Sequence, residues 1–583
     1  MANFSISPGV TISEVDNTFL TNTVVGASTA IVGPTVKGPV NIPTLITSYT
    51  DYQSLFGDSL ISGSDTYSYF TSIAAYNFFN YGGNSLLVTR VASGSYTSAT
   101  SSFIANETNI AYVVGGYVDP SYVTIPPDVS PFILETLSEG EIMNNGIVGT
   151  SGSLSSGSKD NVRWEITTPN TGSGTFNLLV RQGNDTDNSK IILESWNGLS
   201  LDPNSPKYIS KVIGNTKLVY NSTSGQIDVE GDYTNKSRYI RVKQVNSNTP
   251  NYLDPNGQPK PQYVGLIPAA QKGIFNGATG IVAGGANFYE NIDSSDTQGV
   301  SAGDYDIAIN VLSNKEAYLY NVIFAPGLTS DAHSTQISNL INNSQNRGDC
   351  LFVADLTTFN VNNIQDAITQ AANRDSSYAA SYFPWVRVVD PATGKNVWCP
   401  ASTVIPGVYA NSDKKSAPWF APAGINRGGL STVLRTQFKL TQADKDELYE
   451  NNINPLATLP RQGVVVFGQK TLQKQQSALD RINVRRLVIE LKGYLRQISE
   501  QIVFEQNTTS TRTSFIGKVT PYLETIQQKQ GLYAFKVVMD DANNGPDVID
   551  RNQLVGQIYI QPTKTAEFIS LDFILLPTGA QFP

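Results

Sequence analysis

Histidine is almost missing from this chain: His333 is the single copy in 583 residues. Cysteine is nearly as scarce, with only Cys350 and Cys399, far apart in sequence. One imidazole and two distant thiols exclude the usual zinc sites and papain-like Cys–His pairs. No G-x-S-x-G elbow supports a Ser-His-Asp triad. Two cysteines are too few for a disulfide framework, so both are expected as buried free thiols. Charge is thin as well: Asp, Glu, Lys and Arg make up 15% of the chain, against a usual value of about 25%. The formal net charge is −9, from 49 acidic and 40 basic residues, which disfavours a general nucleic-acid binder. Long apolar runs are absent, so no membrane span is expected. Met1–Ser5 lacks the basic and apolar regions of a secretory leader, and synthesis in a cytoplasm is the expectation.

What the chain has instead is uncharged polarity. Ser, Thr, Asn and Gln replace charge, with 47 Gly and 30 Pro, a composition suited to β-rich, turn-rich structure. The length calls for about two to four domains. Sequons occur at Asn106, Asn184, Asn221 and Asn235. In an Asn/Thr-rich chain without a leader they read as chance matches.

Both ends read as strands without a local partner. Phe4, Ile6, Pro8, Val10 and Ile12 are apolar, and Asn3, Ser5, Ser7, Thr11 and Ser13 between them are polar. That is the period-two pattern of a half-buried strand. No hairpin turn follows, and Asn17–Asn22 reads as a loose connector. Near the other end, Ile569, Leu571, Phe573 and Leu575 line one face, opposite Ser570 and Asp572. Free strands at both ends can complete sheets in neighbouring molecules, which points to polymerisation. Pairing of the two ends with each other is the simpler alternative.

Between the ends, Val24–Val32 and Leu86–Val91 read as apolar strands, with helices expected over Ser48–Phe56 and Thr66–Tyr81. Gly82-Gly83 stops the second helix. From Ala92 to about Gly299 the pattern is short alternating strands, such as Val162–Ile166, Phe176–Val180 and Tyr239–Val242. This stretch is expected to form one or two inserted, solvent-facing β domains. Alternation of strands and helices resumes at Asp304. A strand over Leu319–Phe324 is expected to end at Pro326-Gly327. A helix over Ser330–Asn343 follows, capped by Ser330 or Asp331. Next come a strand at Cys350–Ala354, a helix at Ile364–Ala372 and a strand at Ser381–Asp390. The longest helix is expected from about Leu472 to Gln506. There Val484, Leu487, Val488, Leu491, Leu495, Ile498 and Ile502 keep the i, i+3, i+4, i+7 spacing. Strands at Leu532–Met539 and Leu554–Ile560 precede the terminal one.

Few groups are arranged for chemistry. His333 is expected as a solvent-facing residue at a helix start rather than a base. Carboxylates cluster at Asp293 and Asp296, at Asp444, Asp446 and Glu447, and at Asp540-Asp541, without EF-hand spacing. Nothing singles out a glycosidase pair among them. The long helix carries the most specific charge pattern. Arg481, Arg485, Lys492 and Arg496 fall on one narrow stripe at about 100° per residue, beside the apolar face. Such a stripe is either a solvated helix face or a docking rail for an acidic partner.

Several segments in order resemble the contractile tail sheath proteins of bacteriophages. They are Pro8-Gly9-Val10-Thr11-Ile12-Ser13-Glu14-Val15, Ala30-Ile31-Val32-Gly33, Lys37-Gly38-Pro39-Val40, Ser54-Leu55-Phe56-Gly57 and Phe78-Phe79-Asn80-Tyr81-Gly82-Gly83. Further on are Ala380-Ser381-Tyr382-Phe383-Pro384-Trp385, Ile405-Pro406-Gly407-Val408-Tyr409, Ala421-Pro422-Ala423-Gly424 and the region Arg461 to Leu575. The resemblance covers the two ends and the α/β parts but not Ala92–Gly299. It implies a non-enzymatic subunit, without cofactor, that stacks as hexameric rings around a tail tube and contracts to drive the tube through a host envelope. It implies arm strands, with Phe4, Ile6, Val10, Ile12 and Val15 in one and Ile569, Leu571, Phe573 and Leu575 in the other, inserted into neighbouring copies. It also implies that the long helix, with Arg481, Arg485, Lys492 and Arg496, faces the tube. The implied partners are the chain itself, the tube protein, and baseplate and terminator or neck proteins, with no nucleic acid and no membrane insertion. The implied location is the virion, after assembly in the host cytoplasm.

The expected class is thus a mixed α+β, α/β multidomain protein, its core built from N- and C-terminal parts. The expected segments are an arm and linker (1–22), α/β core (23–92), β-rich insertion (93–300), α/β core (301–455), C-terminal core with long helix and hairpin (456–565) and arm (566–583). A genome-free, phage-derived injection device is the alternative within the class. A carbohydrate-binding or adhesive surface protein is the alternative outside it.

Overall fold

The computed structural model describes residues 25–567 except 27, 63–64, 107–112, 115–116, 119–129, 144–151, 156, 283–288 and 362. The expected arm residues Phe4, Ile6, Val10, Ile12, Val15, Ile569, Leu571, Phe573 and Leu575 lie outside the described residues. The chain divides into two compact units. The first holds residues up to Ala75, Asn84–Leu319 and Pro391–Gly394. The second holds Tyr76–Gly83, Tyr320–Asp390 and Lys395 onward.

In the first unit Thr29–Gly33 runs parallel to Leu86–Arg90, with Thr44–Ile46 antiparallel on the other side of Leu86–Arg90. Every residue of the first two strands is buried, as their continuous apolar runs require. The helix Tyr49–Phe56 starts where the Ser48 hydroxyl accepts the Asp51 N–H, and stops at Gly57, whose φ of +72° suits glycine. The next helix is Phe70–Asn80, shorter at its start than the spacing predicts. Asp65–Tyr67 is instead one strand of a hairpin with Leu60–Ser62.

The expected insertion is a seven-stranded antiparallel sheet. Its order is Ile192–Ser200, Thr175–Gln182, Val162–Asn170, Gln271–Asn276, Ser98–Ser101, Phe132–Glu139, Ile240–Val245. The alternating apolar positions close over Trp164, Phe176, Leu178, Val180 and Phe132, with Phe132 and Phe176 stacked 5.4 Å apart. The helices beside this sheet, Ile209–Ile213 and Pro261–Val264, are short.

The second unit contains the parallel strands Val322–Thr329, Leu351–Asp355, Ala379–Phe383 and Asn454–Leu459, with Gly463–Val466 antiparallel at the end. The helices Ser334–Arg347 and Ile364–Ala372 lie in the connections. Pro326-Gly327 does not end the first of these strands. The register slips between Phe324 and Thr329, and the bulge takes up a proline that cannot donate to the ladder. The helix after it begins at Ser334, not Ser330. Asp331 is drawn away by the Thr358 N–H and hydroxyl, at 2.8 and 3.1 Å. His333 is buried rather than exposed, its Nδ1 accepting the Thr329 N–H at 3.1 Å. Cys350 and Cys399 are buried free thiols.

The single strand expected over Ser381–Asp390 is two. It breaks at Pro384, and Val386–Val389 joins an antiparallel sheet between Asn396–Cys399 and Val433–Thr436. The long helix is likewise shorter, Ile482–Glu500, and a second helix, Thr509–Gln528, follows it. The first starts late because Arg481 is extended and Ser477 caps a separate turn over Ala478–Asp480. Leu487, Leu491 and Ile498 of the first helix pack with Phe515, Val519, Leu523 and Ile526 of the second. The hairpin Leu532–Val538 with Gln557–Pro562 closes this cluster through Leu532, Phe535, Ile558 and Ile560.

Candidate functional site

The four cations expected on one stripe occupy three different settings in the second unit. Arg481 is not on the helix but immediately before it. Its guanidinium forks onto Glu567, Nε to Oε1 at 2.8 Å and Nη2 to Oε2 at 3.1 Å. The same carboxylate accepts the Tyr449 hydroxyl at 2.7 Å and the Gln469 amide at 2.9 Å. Burial alone would push the Glu567 carboxyl up, but the hydrogen bonds from Arg481, Tyr449 and Gln469 outweigh it and hold the group below its ordinary value. Burial and the bond to Glu567 push the Tyr449 hydroxyl up, so it stays a donor.

Arg485 is 3% exposed. Its guanidinium lies 4.0 Å from the Tyr378 ring centroid and donates to the Ser377 carbonyl at 3.1 Å and to the Ser377 hydroxyl. With that burial, desolvation lowers its proton affinity. Lys492 and Arg496 stand further out. Lys492 is exposed and its Nζ reaches the Tyr378 hydroxyl at 3.0 Å. Arg496 is partly exposed and pairs with Glu500, one turn on, at 3.0 Å. The helix thus turns Arg485 inward and Lys492 and Arg496 outward. Of the stripe, only these last two can reach a partner without breaking buried contacts.

Two features escaped the reading of the sequence. Arg486, beside Arg485, is buried, pairs with Asp413 at 2.6 Å and lies over Tyr409, 4.8 Å from its centroid. It lies on the side of the helix away from Leu487, Leu491 and Ile498, flanked by the buried Ile482 four residues before and Ile489 three after, and those two apolar neighbours are the signal that could have marked it as a packed group. Glu567 is the other. A lone acid just before an expected terminal strand carries no spacing signal, because its partners come from three distant segments.

The hairpin Leu532–Val538 with Gln557–Pro562 forms, among the described residues, a sheet of two strands. Each strand therefore has one edge of backbone N–H and C=O groups with no ladder partner there. Tyr533 and Tyr559 on it are 63% and 56% exposed. Glu567, the clamped residue, follows this hairpin by five residues. Among the described residues no cluster of His, Cys, Asp and Glu is placed to hold a metal ion, and no helix is long and apolar enough to cross a membrane.

Residues 298–472 match the phage tail sheath protein central domain, and residues 474–575 match the phage tail sheath C-terminal domain. The tail sheath protein of Vibrio phage KVP40 is 34% identical over 324 residues, 52% of this chain and 48% of that protein. The tail sheath protein of Enterobacteria phage T4 is 33% identical over 302 residues, 48% of this chain and 46% of that protein. The matches thus span about half the length of these curated relatives. A sheath tail protein of Listeria innocua shares the fold at 12% identity, with a TM-score of 0.50 over 93% of this chain and 96% of that one.

Proposed function

The chain belongs, through residues 298–472 and 474–575, to the contractile phage tail sheath family, and from that premise we propose how it works as a sheath subunit. Copies stack as hexameric rings around a tail tube, and contraction of the stack drives the tube through the host envelope. The segments 1–22 and 566–583 act as arms, the second leaving its own molecule after the Glu567 anchor, and both pair with the sheet of a neighbour. The chain performs no catalysis. Its further partners are the tube protein, the baseplate and the terminator or neck proteins, within a virion assembled in the host cytoplasm.

The observation that carries this reading is the two-stranded hairpin with its unpaired edges. A strand added to such an edge gains about five main-chain hydrogen bonds, each worth roughly 1 kcal/mol net, before any side chain is buried. Joints of that strength keep subunits connected while rings rotate. The Asn17–Asn22 connector is the hinge. Contacts with the tube have the opposite task and must release. Lys492 and Arg496 suit it, because exposed ion pairs are worth only about 0–1 kcal/mol each.

Deletion of Met1–Asn17 is expected to leave a folded monomer that does not polymerise, seen by electron microscopy and sedimentation. Tubes formed by the truncated protein would refute the arm mechanism.

A further inference from the structure

Arg387, Arg435 and Trp398 stand in one row across the three-stranded sheet Asn396–Cys399, Val386–Val389, Val433–Thr436. Arg387 is directly opposite Trp398 on one side and Arg435 on the other. Like charges directly opposite one another weaken a sheet, yet among the described residues neither guanidinium has a carboxylate within ion-pair distance. Their contacts are with the indole: the Arg387 and Arg435 guanidiniums lie 5.8 and 5.1 Å from the Trp398 ring centroid. The Nε of Arg387 is shielded from solvent and has no hydrogen-bond partner. On the same sheet Val389 and Leu434 are 44% and 55% exposed. Tryptophan and arginine beside exposed aliphatic groups is the composition of an interface centre.

We propose that this sheet face docks a second copy of this chain, and that it receives the acidic turn at the tip of the C-terminal hairpin. The proposal rests on the sheath reading, which requires copies to touch. Charge complementarity points to a second copy: the chain carries nine more acids than bases, while this face is purely cationic. The hairpin tip has matching chemistry. Asp547 and Asp550 are exposed, neither carboxylate has a cationic partner among the described residues, and Ile549 between them is 40% exposed. The helix Gln442–Glu450 also carries acids, but Asp444, Asp446 and Glu447 accept hydrogen bonds from Thr441, Gln442 and Gln365, and its Leu448 is fully buried and unavailable to Val389 and Leu434. A carboxylate set between two guanidiniums would relieve their repulsion and accept forked hydrogen bonds.

The test is polymerisation of the full-length chain, followed by sedimentation and electron microscopy. Arg387→Glu with Arg435→Glu is expected to raise the concentration needed for polymerisation about tenfold or more. Asp547→Arg with Asp550→Arg is expected to do the same, and the two pairs combined to restore much of the loss. Arg435→Glu alone, at an exposed position, with an unchanged melting profile, separates a docking defect from misfolding. Polymerisation of both double variants at the wild-type concentration overturns the proposal, as does loss without rescue in the combined variant. Normal self-assembly with failure only towards an acidic tube also overturns it. Absence of any polymer from the unaltered chain would instead count against the sheath reading itself.

Discussion

The inserted sheet and the small sheet around Trp398 in the C-terminal unit use arginine in opposite ways. In the insertion Arg163 and Arg181 are fully buried, and Arg181 forks onto Asp185 at 2.7 and 3.0 Å and reaches Glu165 at 2.8 Å. Arg241 likewise binds Glu135 at 2.6 Å. Charge there is satisfied inside one molecule and pins neighbouring strands in register. In the C-terminal unit Arg387 and Arg435 stack on an indole, and Lys492 reaches a phenol. A cation over a ring keeps its orientation but stays unneutralised. The first pattern makes a rigid module, and the second leaves charge available to other molecules.

The sharpest way to break this contrast is Arg181→Ala. Asp185 has a fully buried side chain, and removing Arg181 takes away its forked partner, leaving Arg163 at 3.4 Å and the Ile191 N–H at 3.1 Å, at a cost of about 3 kcal/mol. Hydrogen exchange over Val162–Asn170 and Thr175–Gln182 should rise steeply. A change below about 1 kcal/mol would show that the network is not structural.

Asp355, in the C-terminal unit, is a buried acid with no cationic partner among the described residues, at the end of a parallel strand. Burial pushes its carboxyl up to about 7, against hydrogen bonds from the Ser402 hydroxyl and N–H. The sign follows from linkage. Below the ordinary value of 3.8 the group is protonated in both folded and unfolded chains. Between there and about 7 only the folded chain keeps the proton, so its contribution to stability falls as pH rises. Above that it is constant. Asp355→Asn should remove this slope, worth up to a few kcal/mol, in melting profiles taken from pH 4 to pH 8. An unchanged slope would assign the effect elsewhere.

These side chains also mark where the sequence could be read and where it could not. Period-two runs such as Phe176–Val180 gave the insertion its strands, and the helix Ile364–Ala372 agrees at both ends. Errors arose where tertiary contacts override local signals. Pro326 sits in a bulge and Asp331 serves a loop instead of a helix. Thr509–Gln528 was missed because Pro521 lies inside it and its apolar positions are sparse. The cationic stripe was legible as spacing, but spacing does not say which cations meet an aromatic ring from another segment. Arg485 meets Tyr378, more than 100 residues earlier in the chain.

The Glu567 clamp tests whether the C-terminal unit also holds satisfied charge where it must be rigid. Glu567→Gln removes the charged acceptor of Arg481, at a cost of about 1–3 kcal/mol. Protease cleavage after the hairpin should accelerate. Because the folded carboxyl lies below its ordinary value of 4.5, its contribution is full above that pH and is lost as pH falls through the lower, folded value. The Gln variant should lack this acid-side loss. Equal cleavage of both proteins at neutral pH would mean that the segment is held by other contacts.

The smallest effect on folding is expected for Lys492→Glu with Arg496→Glu, and that smallness is the point. Both side chains have access to solvent, and the Arg496–Glu500 pair is a one-turn surface contact, so stability should shift by no more than about 1 kcal/mol. Co-assembly with an acidic tube should nevertheless fall and become less sensitive to salt, since exposed charges act over about 8–10 Å before ions screen them. Arg485→Gln should behave in reverse. It removes a buried cation from the Tyr378 ring, destabilises the unit and leaves the salt dependence of co-assembly intact. If instead Arg485→Gln alters tube binding while the outward pair does not, the division between charge spent within the molecule and charge presented to a partner fails on this helix.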